Sequence, residues 1–331
     1  MSTATIRTGR DADAEGLIEL IGACWAEYPG CVMDVDAEAP ELRALATYMR
    51  ERNGALWAAE ANGRVVGTIA TYPEDLGTWA ISRMYVDRAH RGTGLANRLL
   101  DAAEARAIAD GAARLALWTD TRFERAHRFY ERRSYVRSGP IRSLDDLSKT
   151  IEFHYAKPVA GIEVLGPAGM ASAEARLAEI LRACVDAGAS VSFFPPLAPM
   201  VARGFWRRAT QAVATGERVV LGAWAAGVLV GTATLDMATP PNQPHRADVS
   251  KLLVHPDARR HGLARGLMAR IEDEARRAKR PLLTLDTQAG SSAERLYRSA
   301  GWCEAGRIPG YALDVDRTEC ATVIFYKRFS T

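Results

Sequence analysis

The feature that most constrains this chain is that it repeats itself. Met84-Tyr85-Val86-Asp87-Arg88-Ala89-His90-Arg91-Gly92-Thr93-Gly94-Leu95-Ala96 has a second version, Leu252-Leu253-Val254-His255-Pro256-Asp257-Ala258-Arg259-Arg260-His261-Gly262-Leu263-Ala264, offset by 168 residues from Arg91 to Arg259. In each, a short apolar strand is followed five residues on by an arginine, and Arg-x-x-Gly-x-Ala opens a helical pattern. Trp57–Thr68 has a counterpart in Ala223–Thr232, each reading as two strands around a tight turn, with Asn62-Gly63 supplying the positive φ values such a turn needs. Ala126-x-x-x-Tyr130 returns as Ala293-x-x-x-Tyr297. Landmarks recurring in one order mark a duplicated domain. A length of 331 residues agrees with two domains at about 150 residues each. The expected boundaries are 1–157 and 162–331, with the junction at Lys157-Pro158-Val159-Ala160-Gly161, after a strand over Ile151–Ala156.

Each half reads as strand, helix-rich segment, hairpin, central strand, glycine loop, helix, strand, helix, strand. The helices expected in the first half are about Ala12–Ala26, Glu41–Arg52, Gly94–Ala109 and Arg125–Arg132; in the second, Ser172–Ala187, Pro199–Ala214, Gly262–Lys279 and Ser291–Ser299. That order predicts an α+β fold, two tandem domains each with a mixed, mostly antiparallel sheet flanked by helices, and not a βαβ array.

Charge narrows the partners. A net charge of +3 from 43 basic and 40 acidic residues, with only Arg132-Arg133 and Arg259-Arg260 as local basic spots, argues against a nucleic-acid partner. Five cysteines (Cys24, Cys31, Cys184, Cys303, Cys320) lack metal-site or disulfide spacing and read as small buried hydrophobes with reduced thiols; no metal is expected. Met1–Arg7 leads directly into a strand, and no segment approaches the roughly 20 apolar residues that span a bilayer. The expected location is cytoplasmic, with no membrane partner.

A glycine loop between a strand and a helix lets backbone approach a phosphate closely, and the first N–H groups of the helix are unpaired donors at the positive end of its dipole. Arg91 and Arg259 add cationic charge to the two loops. A turn alone also explains a glycine here, but the doubled Arg-x-x-Gly-x-Ala favours anion binding.

Arg-x-x-Gly-x-Gly/Ala followed by Leu-Leu or Leu-Met, then Ala-x-x-x-Tyr and a later aromatic, resembles the GNAT acetyltransferase superfamily over nearly the whole chain. The resemblance implies that acetyl-CoA is the cosubstrate. It implies two cradles for its pyrophosphate: Arg91, Gly92, Thr93, Gly94, Leu95 and Ala96 in the first half, and Arg259, Arg260, His261, Gly262, Leu263 and Ala264 in the second. Met84, Tyr85 and Val86, like Leu252, Leu253 and Val254, would pair with the pantetheine arm. Tyr130 and Tyr297 stand where the family places a tyrosine that protonates the departing thiolate; the alternative is a ring packed beside its helix.

His245-Arg246-Ala247-Asp248-Val249-Ser250-Lys251-Leu252-Leu253-Val254-His255-Pro256, Leu285-Asp286-Thr287, Ala293-Glu294-Arg295-Leu296-Tyr297 and Gly301-Trp302 resemble the tabtoxin-resistance type of acetyltransferase. That resemblance implies Asp248 and Asp286 as a general base or as groups that orient the amine. A salt bridge from Asp248 to Lys251 or Arg246 is the plainer alternative. The first half departs from the pattern: Ala80 stands at the position of Asp248, although Asp120-Thr121 echoes Asp286-Thr287, and Ser134 precedes Tyr135 where Gly301 precedes Trp302. Phe123 and Gly290 occupy positions where the family often has Asn. The second half is therefore expected to be catalytic, and the first to bind acetyl-CoA or serve another acceptor.

Cys24–Cys31 with Asp34, Asp36, Glu38 and Glu41 offers aromatic and acidic groups to a cationic acceptor, or else forms a solvated acidic loop. Ser192-Phe193-Phe194-Pro195-Pro196 and Pro240–Pro244 are stiff loops of the kind that border a site. The resulting expectation is an N-acetyltransferase carrying acetyl from acetyl-CoA to a small-molecule amine: an amino acid, an amino-acid-like toxin, an antibiotic or a polyamine. Another acyl-CoA, a protein amine, or a non-catalytic acyl-CoA scaffold are the alternatives.

Overall fold

The computed structural model describes residues 4–329. It divides into two compact units, Met1–Ala160 and Gly161–Thr331. The first contains β1 (Thr5–Thr8), α1 (Ala14–Trp25), α2 (Val35–Glu38), α3 (Leu45–Glu51), β2 (Ala55–Ala61), β3 (Arg64–Asp75), β4 (Thr78–Val86), α4 (Leu95–Ala109), β5 (Arg114–Asp120), α5 (Glu124–Arg132), β6 (Val136–Ser143) and β7 (Ile151–Pro158). Its seven-stranded sheet has the order β1-β2-β3-β4-β5-β7-β6. Only β4 and β5 run parallel; the remaining neighbours are antiparallel.

The second unit contains β8 (Gly161–Val164), α6 (Pro167–Asp186), α7 (Pro199–Ala214), β9 (Arg218–Ala225), β10 (Val228–Asp236), β11 (Arg246–Val254), α8 (Leu263–Arg277), β12 (Leu282–Gln288), α9 (Ser292–Ser299), β13 (Cys303–Leu313) and β14 (Glu319–Arg328). Its sheet, β13-β14-β12-β11-β10-β9-β8, has the same topology, with β11 and β12 as the parallel pair. Both units are α+β, with helices on the two faces of a mixed sheet.

Local sequence accounts for the elements. Asn62 (φ 52°) and Gly63 (φ 73°) turn β2 into β3, and Ala226 (φ 49°) and Gly227 (φ 77°) repeat that turn between β9 and β10. Helix α6 starts five residues before the expected Ser172, because Pro167 sits in its first turn, where a missing N–H costs nothing. Helix α3 is shorter than expected: Pro40–Ala44 forms a 3₁₀ turn before it. Two of the five cysteines, Cys24 and Cys184, are buried, whereas Cys303 is exposed. That corrects the reading of all five as core residues.

In each unit the helix α4 or α8 covers one face, and the helices between the first two strands cover the other. Leu95, Leu99, Leu100 and Ala103 of α4 pack on Ile69, Ile81 and Leu115, while Leu17 and Ile21 of α1 pack with Leu42, Leu45 and Leu56 on the opposite face. In the second unit Leu267, Met268 and Ile271 of α8 meet Val249, Leu283 and Phe325, and α6 and α7 bury Leu181, Val185 and Trp206 on the other side. A buried ionic knot is duplicated as well. Glu104 accepts from Tyr135 Oη at 3.1 Å and from Lys157 Nζ at 3.1 Å. Glu272 accepts from Trp302 Nε1 at 3.3 Å and from Lys327 Nζ at 2.7 Å.

Helices α5 and α9 end alike. The N–H of Tyr135 donates to Tyr130 O, and that of Trp302 to Tyr297 O, each at 3.0 Å. The residue before is left-handed in both, Ser134 at φ 65° and Gly301 at φ 77°. A side chain in that region costs about 1 kcal/mol, which glycine avoids. Ser134→Gly is expected to stabilise the first unit by about that amount and Gly301→Ser to destabilise the second by a similar amount. Denaturant melts of the two variants check both signs.

Candidate active site

The candidate site lies where a pair of central strands parts. β4 and β5 pair only through Thr78↔Arg114, Trp79↔Leu115 and Ala80↔Ala116, although the strands continue to Val86 and Asp120. β11 and β12 pair through Arg246↔Leu282, Ala247↔Leu283 and Asp248↔Thr284, and continue to Val254 and Gln288. Beyond these points each central strand has a free edge, and on it lie Met84, Tyr85 and Val86 in one unit and Leu252, Leu253 and Val254 in the other.

Each central strand also carries a β-bulge just past the last parallel pair. Thr68↔Tyr85 is followed by Ala70↔Ser82, and Thr232↔Leu253 by Thr234↔Ser250. The left-handed residues are Arg83 (φ 51°) and Lys251 (φ 50°), equivalent positions that both carry a cation.

The strand then enters the glycine loop. Gly92 (φ 77°) and Gly94 (φ 84°) in the first unit correspond to Arg260 (φ 69°) and Gly262 (φ 77°) in the second. The first N–H donors bonded into α4 and α8 belong to Arg98 and Gly266, which reach Gly94 O and Gly262 O at 3.1 and 3.0 Å. The amides of Leu95 and Ala96, and of Leu263 and Ala264, are left free at the positive ends of these helices. A Cβ added at Gly92, Gly94 or Gly262 would meet nothing within 4 Å, so open space lies beside those amides. Such loops fit the pyrophosphate of a nucleotide-bearing cosubstrate. In the first unit a cavity of about 240 Å³ reaches this loop, lined by Met84, Tyr85, Val86, Arg91, Gly92, Ala96 and Tyr130 among others.

The two loop arginines do something the sequence did not reveal. Arg91 Nε donates to Val86 O at 2.9 Å, and its terminal nitrogens grip the Glu27 carboxylate at 2.6 and 2.7 Å. That hydrogen-bonded pairing holds Glu27 below its ordinary pKa and raises the pKa of Arg91. Arg259 Nε donates to Val254 O at 3.2 Å. The Cys24 and Cys184 thiols approach the same two carbonyls, at 3.7 and 3.3 Å. The arginine side chains thus brace the loop against the strand end, and Thr93 Oγ1 fastens it to His90 O at 2.7 Å. Arg259, Arg260 and His261 are all exposed on the second loop.

Tyr130 and Tyr297 are both buried on the inward sides of α5 and α9. Tyr130 Oη lies 3.5 Å from Met84 Sδ on the free strand edge. Burial pushes both phenols well above the usual tyrosine range, and the charge of Asp286 raises Tyr297 further. Each keeps its proton at neutral pH.

The carboxylates separate the two units. Asp248 accepts from Arg246 Nη1 at 2.6 Å and also bonds the Thr284 hydroxyl, so of the two partners considered for it, Arg246 is the one engaged. Asp286 is exposed on the stretch of β12 beyond its pairing with β11, and among the described residues its side chain has no hydrogen-bond or ion-pair partner. Its first-unit echo, Asp120, is 6% exposed and held by Arg122 through Nε at 2.9 Å and Nη2 at 2.5 Å. Ala80 leaves the first unit nothing in place of Asp248.

The acidic stretch of the first unit is spent on local structure. Asp34 caps α2, Asp36 pairs with Arg43, Glu38 accepts from the Leu147 amide, and Glu41 pairs with Arg83. These partners engage the acidic groups considered for a cationic acceptor, while Cys24 and Tyr28 of the same stretch line the cavity. Phe123 packs against Tyr28 with ring centroids 4.6 Å apart and planes tilted by 43°. Gly290 is left-handed (φ 79°), and its N–H donates to Glu294 at 2.6 Å.

Residues 17–135 and 190–302 each match the acetyltransferase (GNAT) family. The chain belongs to the GNAT acetyltransferase family. The match falls once in each unit, and the family's cosubstrate is acetyl-CoA. An uncharacterized N-acetyltransferase of Azospirillum brasilense is 30% identical over 129 residues, 38% of this chain and 75% of that protein. A ribosomal-protein-alanine N-acetyltransferase from Brucella melitensis is 23% identical over 51% of this chain and 99% of its own, with a TM-score of 0.44. A Salmonella typhimurium structure solved with its cofactor acetyl-CoA is 19% identical over 51% of this chain and 94% of its own, with a TM-score of 0.44. Among the described residues of this GNAT chain, no helix is long and apolar enough to cross a membrane.

Proposed function

We propose that this chain is an N-acetyltransferase in which the second unit moves an acetyl group from acetyl-CoA to a small-molecule amine and the first unit binds acetyl-CoA without turning it over. The observation that carries this reading is the pairing of Asp286, exposed and unpartnered, with Tyr297, a phenol that stays protonated, beside the splay of β11 and β12. Acetyl-CoA supplies the acetyl thioester. Asp286 accepts the proton that the acceptor ammonium must lose before its nitrogen can attack, and Tyr297 donates its proton to the departing sulfur. Asp248, fixed by Arg246 and Thr284, frames the amine side of the gap. The free amides from Gly262 to Ala264, with Arg260 and His261, would hold the pyrophosphate, and Leu252–Val254 would align the pantetheine arm.

In the first unit Arg91–Ala96 and Met84–Val86 offer the same cradle, and Tyr130 the same phenol. With Ala80 in place of a carboxylate and Asp120 locked by Arg122, neither position equivalent to Asp248 or Asp286 offers a free base. The likeness of the run from His245 to Pro256 to the tabtoxin-resistance type supports a small amine as the acceptor.

A calorimetric titration with acetyl-CoA tests the cradles. Wild type is expected to show two sites, Gly94→Glu and Gly262→Glu to lose one each, and only Gly262→Glu to lose turnover. No binding by wild type would overturn the reading.

A further inference from the structure

We propose that the acceptor is an aminocarboxylate, with its carboxylate bound by Lys251 and its amine presented to Asp286. This deepens the acetyltransferase reading of the second unit and rests on it.

The duplication supplies an internal control. At the bulge of the central strand the first unit has Arg83, neutralised by an ion pair with Glu41. Across the gap its Asp120 is neutralised by Arg122. Both charges of the first unit are thus cancelled within the protein. In the second unit the equivalent cation is Lys251 and the echoing carboxylate is Asp286, and among the described residues neither has an ion-pair or hydrogen-bond partner. Each sits just past the last parallel pair, Asp248↔Thr284, on opposite sides of the splay.

The surroundings of Lys251 are apolar. Its Nζ lies 5.9 Å from the ring centroid of Phe193 and 5.3 Å from that of Phe205, and the two rings meet edge to face at 5.8 Å. Burial pulls this ammonium below the ordinary lysine pKa; Asp286 opposes that shift and Arg218 adds to it. Arg218 is itself paired with Asp236. A partly desolvated ammonium without a counter-ion is costly, and a ligand carboxylate removes that cost. The phenyl rings bound the space around the acceptor on the side of the loop from Ser192 to Pro196.

Lys251 feels the charge of Asp286 but forms no ion pair with it, so the ligand that satisfies both carries an anion and an ammonium on one small skeleton. Asp286 also acts on Tyr297, which puts the ammonium end at the reacting side and the carboxylate at the bulge. A polyamine would leave Lys251 unpaired and add a like charge beside it.

The experiment compares acetyl-CoA-dependent thiol release for the twenty amino acids, β-alanine and γ-aminobutyrate, each against its methyl ester and its decarboxylated amine. The best acid is expected to exceed its own ester about 100-fold in kcat/KM. Lys251→Met is expected to bring that ratio close to one, and Lys251→Arg to restore part of it. Esters or diamines used as well as acids overturn the inference, as does a preference that survives in Lys251→Met. The wild-type comparison stands even if a variant fails to fold. Calorimetry with acetyl-CoA on the same samples separates the two levels. Binding with no aminocarboxylate acetylated overturns this inference alone, and absence of binding overturns the acetyltransferase reading beneath it.

Discussion

Replacing Asp286 with Asn is expected to lower kcat about 10²–10⁴-fold while leaving the acetyl-CoA titration of both cradles unchanged. The substitution keeps size and polarity but removes the carboxylate proposed above to take the ammonium proton. Because the Asp286 side chain is exposed and, among the described residues, makes no hydrogen bond, its loss leaves no orphaned partner, and stability should not move. Asp120→Asn should behave in the opposite way. It breaks the grip of Arg122 on a buried carboxylate, so it weakens the first unit and leaves turnover intact. Steady-state kinetics and thermal melts on the two variants read both effects. Equal loss of turnover in the two would place chemistry in both units.

The largest stability effect is expected at the duplicated ionic knot. Glu104→Gln leaves the Lys157 ammonium, 13% exposed, without its carboxylate, and weakens the acceptor of the Tyr135 hydroxyl. Removing one partner of a buried pair costs about 3–5 kcal/mol, and the bridge from Arg133 to Glu104 is lost with it. Glu272→Gln should cost less, because Lys327 Nζ also donates to Ala300 O at 2.8 Å. Urea denaturation followed by tryptophan fluorescence gives both values, and equal midpoints would contradict the ranking.

What was legible beforehand was whatever lies close together in the chain. The repeat, the hairpin turns, Gly94 and Gly262 at the helix starts and the inward tyrosines all depend on spacings of a few residues, which a sequence displays directly. Charge pairing depends on distance in space. Arg91 reads as a cation for a phosphate until Glu27, 64 residues earlier, is found holding it. Asp120 and Asp286 read alike until Arg122 is seen on one and, among the described residues, no side-chain partner on the other. The acidic run from Asp34 to Glu41 suggested a binding surface, yet its partners Arg43, Arg83 and Leu147 arrive from α3's leading turn, β4 and the loop before β7. The bulges at Arg83 and Lys251 had no signal at all, since a positive φ there falls on ordinary side chains in place of glycine.

Those bulges change the phase of the central strands. Before Lys251, Ala247 and Val249 point toward α8 and Asp248 and Ser250 point away; after it, Leu253 joins the cluster of α6 and α7 while Leu252 and Val254 turn to α8. In the first unit Trp79 and Ile81 face α4 before the slip, and Met84 and Val86 after it. One strand therefore has odd-numbered inward positions at its start and even-numbered ones at its end, with a single residue as the hinge of the arithmetic. Deleting Lys251 would do more than remove a charge. It would remove the bulge and its local twist, leaving a strictly alternating strand in which Ala247, Val249, Leu252 and Val254 all still face α8.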